Sequence, residues 1–277
     1  MEVRVFDIHS HIYYPDFDVD RAEMLSDMQE KGVGTIVIGT DVESSMKAIE
    51  LCDANAARFA CIGIHPLEAS EMNEEDVRKS IVELEQIALD QQYSEKVVAI
   101  GETGLDYFRI TGTNEEIERV KAIQKQLFLS QARIAASAGL PLMIHCRDAH
   151  ADLLKIYKEE GLTAHLHFHF FAVTSEILKE CLDMGATVSF TGVITFAPQY
   201  KELVEQVPLD RFMIETDAPY AAPAPFRGKR ADPRMVMQVA EAFSEIRGIP
   251  LEEVLRKSTE NTLKYFPRIS EALSKIK

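Results

Sequence analysis

The segment Phe6-Asp7-Ile8-His9-Ser10-His11 ends a short apolar run and places two histidines two positions apart. Successive side chains of a β-strand alternate between its faces, so His9 and His11 should point to the same side, where they can bind one metal ion. An interior histidine with its own hydrogen bonds beside an exposed one would give the same spacing. The rest of the chain has to separate these two interpretations.

Short apolar, β-branched runs alternate with longer amphipathic stretches along the chain, which is typical of repeated βα units around a parallel sheet. There are eight such runs, the number of strands in a TIM barrel, and 277 residues suit one barrel better than several small domains. We therefore predict an α/β fold, a single (β/α)8 TIM barrel over residues 1–277 with its active site at the C-terminal ends of the strands. The predicted strands cover residues 3–8, 35–39, 59–64, 97–101, 141–145, 165–170, 186–191 and 211–215.

Helices are predicted between these runs. Glycine commonly ends a helix, and Gly32, Gly139 and Gly185 each follow one of the amphipathic stretches. A proline-rich stretch, 218–230, follows the last strand, where a long loop would lie over the barrel mouth. The predicted helices cover residues 21–31, 74–90, 114–138 and 174–184, and the segment 232–277 is helical in pattern throughout.

Composition excludes several classes of protein. The net charge of -15 leaves no general basic face for a polyanion, so phosphate chemistry would need local cations such as metal ions. The four cysteines form no CxxC pair, which argues against a zinc ribbon or a disulfide scaffold and indicates reduced thiols. Charged residues interrupt every apolar stretch, including the first, so neither a signal peptide nor a membrane span is expected. We expect a soluble cytoplasmic protein.

Metal-ligating side chains follow most of the predicted strands. In a TIM barrel the C-terminal strand ends meet at one mouth, so these residues would share one site. Glu102, flanked by glycines, can bridge two cations there, although a helix-capping or surface acid is the alternative. Mixed imidazole and carboxylate ligands admit divalent Zn, Mn, Fe, Co or Mg. The residues are Asp7, His9 and His11 on the first strand, His65 after the third, Glu102 after the fourth, His145 on the fifth, His169 on the sixth and Asp217 after the eighth.

The sixth strand offers a choice of ligand. His165, His167 and His169 alternate onto one face, and we predict that His169 is the ligand because it is nearest the C-terminal end. His167 is expected to be hydrogen-bonded inside the barrel. Glu215, two residues before Asp217, either orients a ligand histidine or belongs to a structural hydrogen-bond network.

Two residues have predicted catalytic roles beyond ligation. Asp217 can bind an ion and also accept a proton from the attacking water. His65 precedes a proline, and it either contacts the substrate and protonates a leaving group or is an ordinary loop residue.

Taken together, these motifs resemble the TatD family of metal-dependent hydrolases, a branch of the amidohydrolase-like TIM barrels, over a region from Asp7 to about Phe266. The resemblance implies that His9, His11 and Asp217 bind one ion, that His145 and His169 bind a second, and that Glu102 bridges both. The matching strings are Phe6-Asp7-Ile8-His9-Ser10-His11, Gly63-Ile64-His65-Pro66, Ile100-Gly101-Glu102-Thr103-Gly104-Leu105-Asp106, Ile144-His145-Cys146-Arg147, Glu215-Thr216-Asp217-Ala218-Pro219-Tyr220 and Arg227-Gly228-Lys229-Arg230.

The resemblance also implies an activity, because characterised members of such families act as DNases that remove nucleotides from a 3′ end. Two segments depart from the family pattern. After the sixth strand the family usually has His-Cys-Phe-Ser-Gly-Ser, whereas this chain has His169-Phe170-Phe171-Ala172-Val173-Thr174. The string Ile194-Thr195-Phe196-Ala197 lacks a lysine that relatives often carry. Both departures concern substrate binding, and neither concerns a predicted ligand.

The leading hypothesis is therefore a 3′–5′ exodeoxyribonuclease in which two divalent ions activate a water, with Asp217, Glu102 and His65 as catalytic residues. Single-stranded DNA or 3′ ends would be the substrate, and no obligate protein partner is implied. A small-molecule amide, ester or phosphoester hydrolase is the alternative, favoured by the bulky Phe170-Phe171 turn, and a metal-binding protein without turnover is a third. Substrate contacts are assigned to His65, Arg147, Arg227, Lys229 and Arg230, although basic loop residues are often ordinary surface charge.

Overall fold

The protein is described by a computed structural model that covers residues 3–276. The parts of the domain and N-terminal predictions that fall on Met1, Glu2 and Lys277 lie outside these residues. Eight parallel strands form one sheet in the order β1 to β8, and helices run between them, so the predicted TIM barrel is confirmed. The strands are β1 Val5–Ser10, β2 Val33–Ile38, β3 Arg58–Ile62, β4 Val97–Asp106, β5 Leu142–Arg147, β6 Leu166–Phe168, β7 Thr187–Phe190 and β8 Phe212–Ile214.

Each segment predicted to be helical contains a helix in the structure. Helix α4 begins after Thr113, whose side chain and that of Glu116 form a capping box, and it ends at Gly139 in the left-handed conformation. The helices are α1 Arg21–Glu30, α2 Val42–Glu50, α3 Glu74–Leu89, α4 Asn114–Ala138, α5 His150–Glu159, α6 Ser175–Asp183, α7 Lys201–Gln206, α8 Val236–Arg247, α9 Leu251–Tyr265 and α10 Pro267–Ser274. No helix within residues 3–276 is long and apolar enough to cross a membrane.

The barrel closes between its first and last strands. The segment after β8 pairs with β1, because Asp217 N–H donates to the carbonyl of His9 (2.9 Å) and His11 N–H donates to the carbonyl of Ala218 (2.7 Å). A buried apolar cluster that includes Phe6, Phe59 and Met213 links the strands to the C-terminal helices. Burial of such large side chains is the main source of stability for a barrel of this size.

Most predicted strand ends are off by one or two residues, so that His169 lies just after β6, and the largest difference is at β4. Glu102 was predicted to leave a strand that ends at Gly101, but β4 continues to Asp106. The register between β4 and β5 shifts between Ile100 and Thr103, after which pairing resumes. A bulge of this kind redirects side chains locally and keeps the strand in the sheet. Glu102 therefore projects from within a strand, which fixes it more firmly than a loop would.

Candidate metal centre at the barrel mouth

His9 and His11 converge at the end of β1. Both are buried, and their Nε2 atoms lie 3.3 Å apart. The Nδ1 atom of His11 lies 2.9 Å from the carbonyl oxygen of Ile38. A ring nitrogen that donates to a carbonyl leaves the other nitrogen with a free lone pair, so Nε2 of His11 faces the site as an acceptor. The two imidazoles thus face one point, as their spacing predicts.

Asp217 completes this first group. Its Oδ1 atom lies 3.7 Å from Nε2 of His9 and 3.6 Å from Nε2 of His11. The residue has a positive φ of 56°, a conformation that aspartate tolerates better than most residues. The backbone hydrogen bond from Asp217 N–H to His9 holds the carboxylate over β1. The first and last strands therefore supply one compact set of two nitrogens and a carboxylate.

Glu102 lies between this group and a second one, and its two oxygens face different sides. Its Oε2 atom lies 3.4 Å from Nε2 of His9 and 3.9 Å from Nε2 of His11. Its Oε1 atom lies 2.8 Å from Nε2 of His169 and 3.0 Å from Nδ1 of His145. A carboxylate held this way can contact a cation on each side. It is buried, with 4% of its surface exposed.

Two glycines give Glu102 its place. Gly101 and Gly104 have φ values of +150° and +143°, which L side chains rarely adopt. A Cβ atom at Gly101 would collide with the carbonyl oxygen of Met143, and one at Gly104 with that of His145. The two glycines therefore permit a close approach of the β4 and β5 backbones. It brings Glu102 and His145 onto the same side of the mouth.

Of the three histidines near β6, His169 reaches the site. His167 is fully buried, with its ring nitrogens 2.8 Å from Thr187 Oγ1 and 2.9 Å from Ser189 Oγ. His165 stacks on Tyr265, away from the mouth. Only His169 among the three contacts Glu102. The position nearest the strand end thus has the expected geometry.

Glu215 combines the two roles that its sequence left open. It is fully buried, accepts a hydrogen bond from Phe170 N–H (2.8 Å) and accepts another from the hydroxyl of Ser189. The same Oε1 atom that faces Phe170 lies 3.4 Å from Nδ1 of His169. Glu215 therefore ties β7 and β8 together and faces the back of a predicted ligand.

The donor set fits divalent cations. The described residues contain three groups whose ligand atoms lie within 4.8 Å of one another: His9, His11 and Glu102; His65, Glu102 and His145; and His9, His169 and Glu215. Burial lowers the pKa of His9 to about 4, so this imidazole is neutral and able to ligate at pH 7. Burial opposes ionisation of Glu102, but His169 and His65 outweigh it and lower the pKa of this carboxyl well below its usual value. Neutral imidazole and ionised carboxylate are the forms that bind metals.

A cavity of about 1040 Å³ opens directly over these groups. Five of the six predicted ligands line it: His11, Glu102, His145, His169 and Asp217. A space of this volume admits a small organic ligand or the end of a polymer.

Residues 6–267 match the family model described as TatD related DNase. The chain belongs to the TatD family of metal-dependent hydrolases.

Individual TatD relatives span nearly the whole chain. It is 38% identical over 266 residues to the uncharacterized metal-dependent hydrolase YabD of Bacillus subtilis, covering 95% of this chain and 98% of that one. It is 34% identical over 251 residues to the 3′-5′ ssDNA/RNA exonuclease TatD of Musicola paradisiaca, covering 85% and 89%. The crystal structure of the TatD homologue YjjV from Escherichia coli superposes with a TM-score of 0.84 at 26% identity, covering 96% and 99%.

The segment that departs from the usual TatD pattern forms part of the cavity wall. Phe170 is half-buried and lines the cavity, and it has a positive φ of 45°. Phe171 is buried and packs edge-on against Phe168. Only the first of the two bulky residues can therefore touch a ligand.

The remaining predicted site residues divide by location. His65 and Arg147 line the cavity, whereas Arg227 and Lys229 are exposed on the loop after β8, and Arg227 stacks on Phe196 at 3.9 Å. Arg230 is engaged elsewhere: both of its terminal nitrogens contact Asp20, and its guanidinium lies 4.3 Å from the Phe17 ring centre. A phosphate would have to compete with Asp20 for this side chain. Its visible contacts anchor the mouth loop to the start of α1.

Asp106 is a site residue to which the sequence motifs alone gave no role. Its Oδ2 atom lies 2.8 Å from Nε2 of His145, whose Nδ1 faces Glu102. Its Oδ1 atom accepts a hydrogen bond from Phe108 N–H (2.8 Å). A carboxylate behind a ligand histidine fixes the ring orientation and tautomer. The signal was its position four residues after Glu102 in the same string.

We expect Asp106→Asn to weaken metal binding by about 10–100-fold, because the amide no longer attracts the Nε2 proton of His145 as the carboxylate does. Competition of metal-loaded protein with a chelator measures this affinity. Asp152→Asn is the matched control, since Asp152 contacts Tyr107 and Lys125 and does not contact the histidines. Equal affinities in wild type and Asp106→Asn would exclude an orienting role.

Proposed function

We propose that this TatD protein is a 3′–5′ exodeoxyribonuclease that acts on single-stranded DNA or 3′ ends in the cytoplasm. The observation that supports it best is Glu102, whose oxygens face His9 and His11 on one side and His145 and His169 on the other. A carboxylate so placed would let two cations share one ligand, and paired cations are a recurrent arrangement in enzymes that hydrolyse phosphodiesters. One relative is named as a 3′-5′ ssDNA/RNA exonuclease, and this name supports a single-stranded nucleic acid as the substrate and cleavage from the 3′ end.

The two ions, Zn, Mn, Mg, Fe or Co, would stabilise charge on the phosphoryl oxygens and acidify a water when bound. The residues proposed to hold them are His9, His11 and Asp217 for one, His145 and His169 for the other, and Glu102 for both. We infer that the whole chain serves as one hydrolase domain and needs no protein partner.

Asp217 is the proposed general base. Its side chain is only 11% exposed, and its carboxylate faces the His9 and His11 rings from the rim of the cavity. A carboxylate in that place can accept the proton of a water that attacks the phosphorus. The backbone of β1 holds it in position, so little reorganisation accompanies proton transfer.

His65 is the proposed proton donor. Its Nδ1 atom accepts a hydrogen bond from Leu67 N–H (3.1 Å), which places the proton of the neutral ring on Nε2. That Nε2 atom lies 3.3 Å from Oε1 of Glu102 and faces the cavity floor. The neutral Nε2–H group can donate a hydrogen bond to a phosphoryl or leaving oxygen, and transfer of a proton to that oxygen requires the imidazolium form of the ring.

The test is cleavage of a 5′-labelled single-stranded oligonucleotide by chelated protein reloaded separately with Mg, Mn or Zn. Stepwise shortening from the 3′ end that requires the metal is expected. Intact DNA in every metal-loaded sample would overturn the proposal.

A small-molecule ester or amide hydrolase is the second candidate, because Phe170 presents an aromatic ring to the cavity where relatives usually have a small turn. A panel of small esters and phosphoesters run beside the oligonucleotide separates the two. Turnover of an ester by protein that leaves DNA intact would favour this candidate.

Arg227 and Lys229 are proposed to contact phosphates that flank the scissile bond. The variant Arg227→Gln/Lys229→Gln should raise KM for DNA about tenfold and reduce the slope of log KM against log salt by about 0.7 for each phosphate that is no longer neutralised. Steady-state kinetics at several salt concentrations measures both quantities. The control is Arg78→Gln/Lys79→Gln, an exposed pair on α3; if the two double variants behave alike, the assignment is wrong.

A further inference from the structure

Two arginines at the rim of the mouth share one aromatic ring. The guanidinium carbon of Arg147 lies 3.5 Å from the centre of the Phe108 ring, and that of Arg109 lies 4.5 Å from the same point. Both arginines are exposed, and Phe108 is half-buried. The three residues are called the Phe108 clamp below. Contact with the ring limits the conformations of both long side chains before any ligand binds.

Neither arginine of the clamp forms a salt bridge with the described residues. Within residues 3–276, neither arginine has a carboxylate oxygen within 4.0 Å, whereas nearby Lys125 lies 3.0 Å from Asp152. Two like charges beside one ring repel each other, and a bound anion would attract both. In a chain with a net charge of -15, such a pair is a local positive site.

Backbone and side-chain contacts fix the clamp to the metal centre. Arg147 follows His145 by two residues on β5 and lines the cavity. Tyr107 N–H donates to the carbonyl of Arg147 (2.9 Å), which joins the loop after β4 to β5. Asp106 contacts Phe108 N–H through one oxygen and His145 through the other. The clamp therefore stands at a fixed offset from the predicted ligands on β4 and β5.

We propose that the Phe108 clamp binds a backbone phosphate of the substrate strand adjacent to the scissile bond. Guanidinium groups bind phosphate oxygens through paired, charge-assisted hydrogen bonds, and an arginine already held against a ring loses little freedom on binding. The clamp lies on the β4–β5 side of the mouth, while Arg227 and Lys229 follow β8. This inference rests on the proposed nuclease function and assigns the strand a path across the rim at β4 and β5.

The first measurement is the affinity of metal-loaded protein for a labelled oligonucleotide whose 3′ end carries phosphorothioates that resist cleavage. Arg109→Gln/Arg147→Gln should raise Kd at least about tenfold and reduce the salt slope by about 0.7 for each phosphate that the variant fails to neutralise. Lys264→Gln is the control, because Lys264 lies 4.7 Å from the Tyr265 ring. The Tyr265 ring stacks on His165, which precedes β6, so this pair lies at the other end of the barrel. The control therefore removes a cation from a similar cation–aromatic pair that is far from the mouth.

The second measurement identifies the phosphate. A series of oligonucleotides carries one neutral methylphosphonate at successive positions. Wild type should lose affinity at one position near the 3′ end, and the double variant should lose nothing more at that position. Equal Kd values for wild type and the double variant on unmodified DNA would contradict the proposal. So would a series in which no single methylphosphonate abolishes the difference in Kd between the two proteins.

The outcomes separate the two proposals. If DNA binding depends on the two arginines and on one phosphate, but the DNA is never shortened, the nuclease function is wrong and the anion site stands. DNA that is shortened normally by a double variant with unchanged Kd would reject the clamp alone. Protein that neither binds nor shortens DNA would reject both.

Discussion

Glu102→Gln should reduce metal-dependent hydrolysis by at least about a thousandfold. The amide keeps the size of the side chain but has one oxygen and no charge, so it cannot face both groups of histidines as an acceptor. Each predicted cation loses a carboxylate ligand at once. Turnover of the 5′-labelled oligonucleotide measures the loss of activity, and metal analysis after gel filtration should show fewer ions per chain than in wild type.

The control for Glu102 is Glu85→Gln. Glu85 is exposed on α3 and forms no salt bridge with the described residues, so this variant has the same chemical change without effect on the mouth. Thermal unfolding of both variants shows whether the fold survives. Wild-type activity and metal content in Glu102→Gln would contradict the bridging role, whatever the substrate.

Asp217→Asn should lower kcat by about a thousandfold, because it removes both a ligand and the proposed base. The backbone at this position has a positive φ of 56°, which asparagine also tolerates, so the loop should keep its course. Kinetics measured at saturating metal separate the loss of the base from weaker metal binding.

Asp148 offers a closely matched control for Asp217. It too lines the cavity and has a positive φ, of 54°, but it is exposed and contacts none of the predicted ligands. Asp148→Asn should keep kcat within about twofold, as expected for a surface substitution. A similar loss in both variants would show that negative charge at the mouth matters in general and that Asp217 has no special role.

Several features of the site could be read from the sequence because a TIM barrel converts position on a strand into position in space. His9, His145 and Asp217 are far apart in the chain, yet each lies at or just after the C-terminal end of a strand, and parallel strands in a closed barrel bring these ends together. The period of two in a strand likewise put His9 and His11 on one side. These rules need only element boundaries and residue types.

Other features have no local signal. Asp106 lies behind His145 because β4 continues past a bulge, and the prediction ended that strand at Gly101. Arg230 pairs with Asp20, which is distant in sequence, so its motif could not reveal the contact. The Phe108 clamp also depends on the way two loops meet. Each case depends on contacts between distant segments, which residue type alone does not encode.

The sequence by itself determined the barrel, the family and the identity of the side chains at the mouth, since each follows from periodicity or from a short ordered motif. Only the tertiary structure decided which oxygen of Glu102 faces which histidines and which ring nitrogens face the site. It also decided which basic side chains, such as Arg230, already form salt bridges within the protein. The physical reason is that these properties depend on strand register and side-chain torsions, which are set when the whole barrel packs.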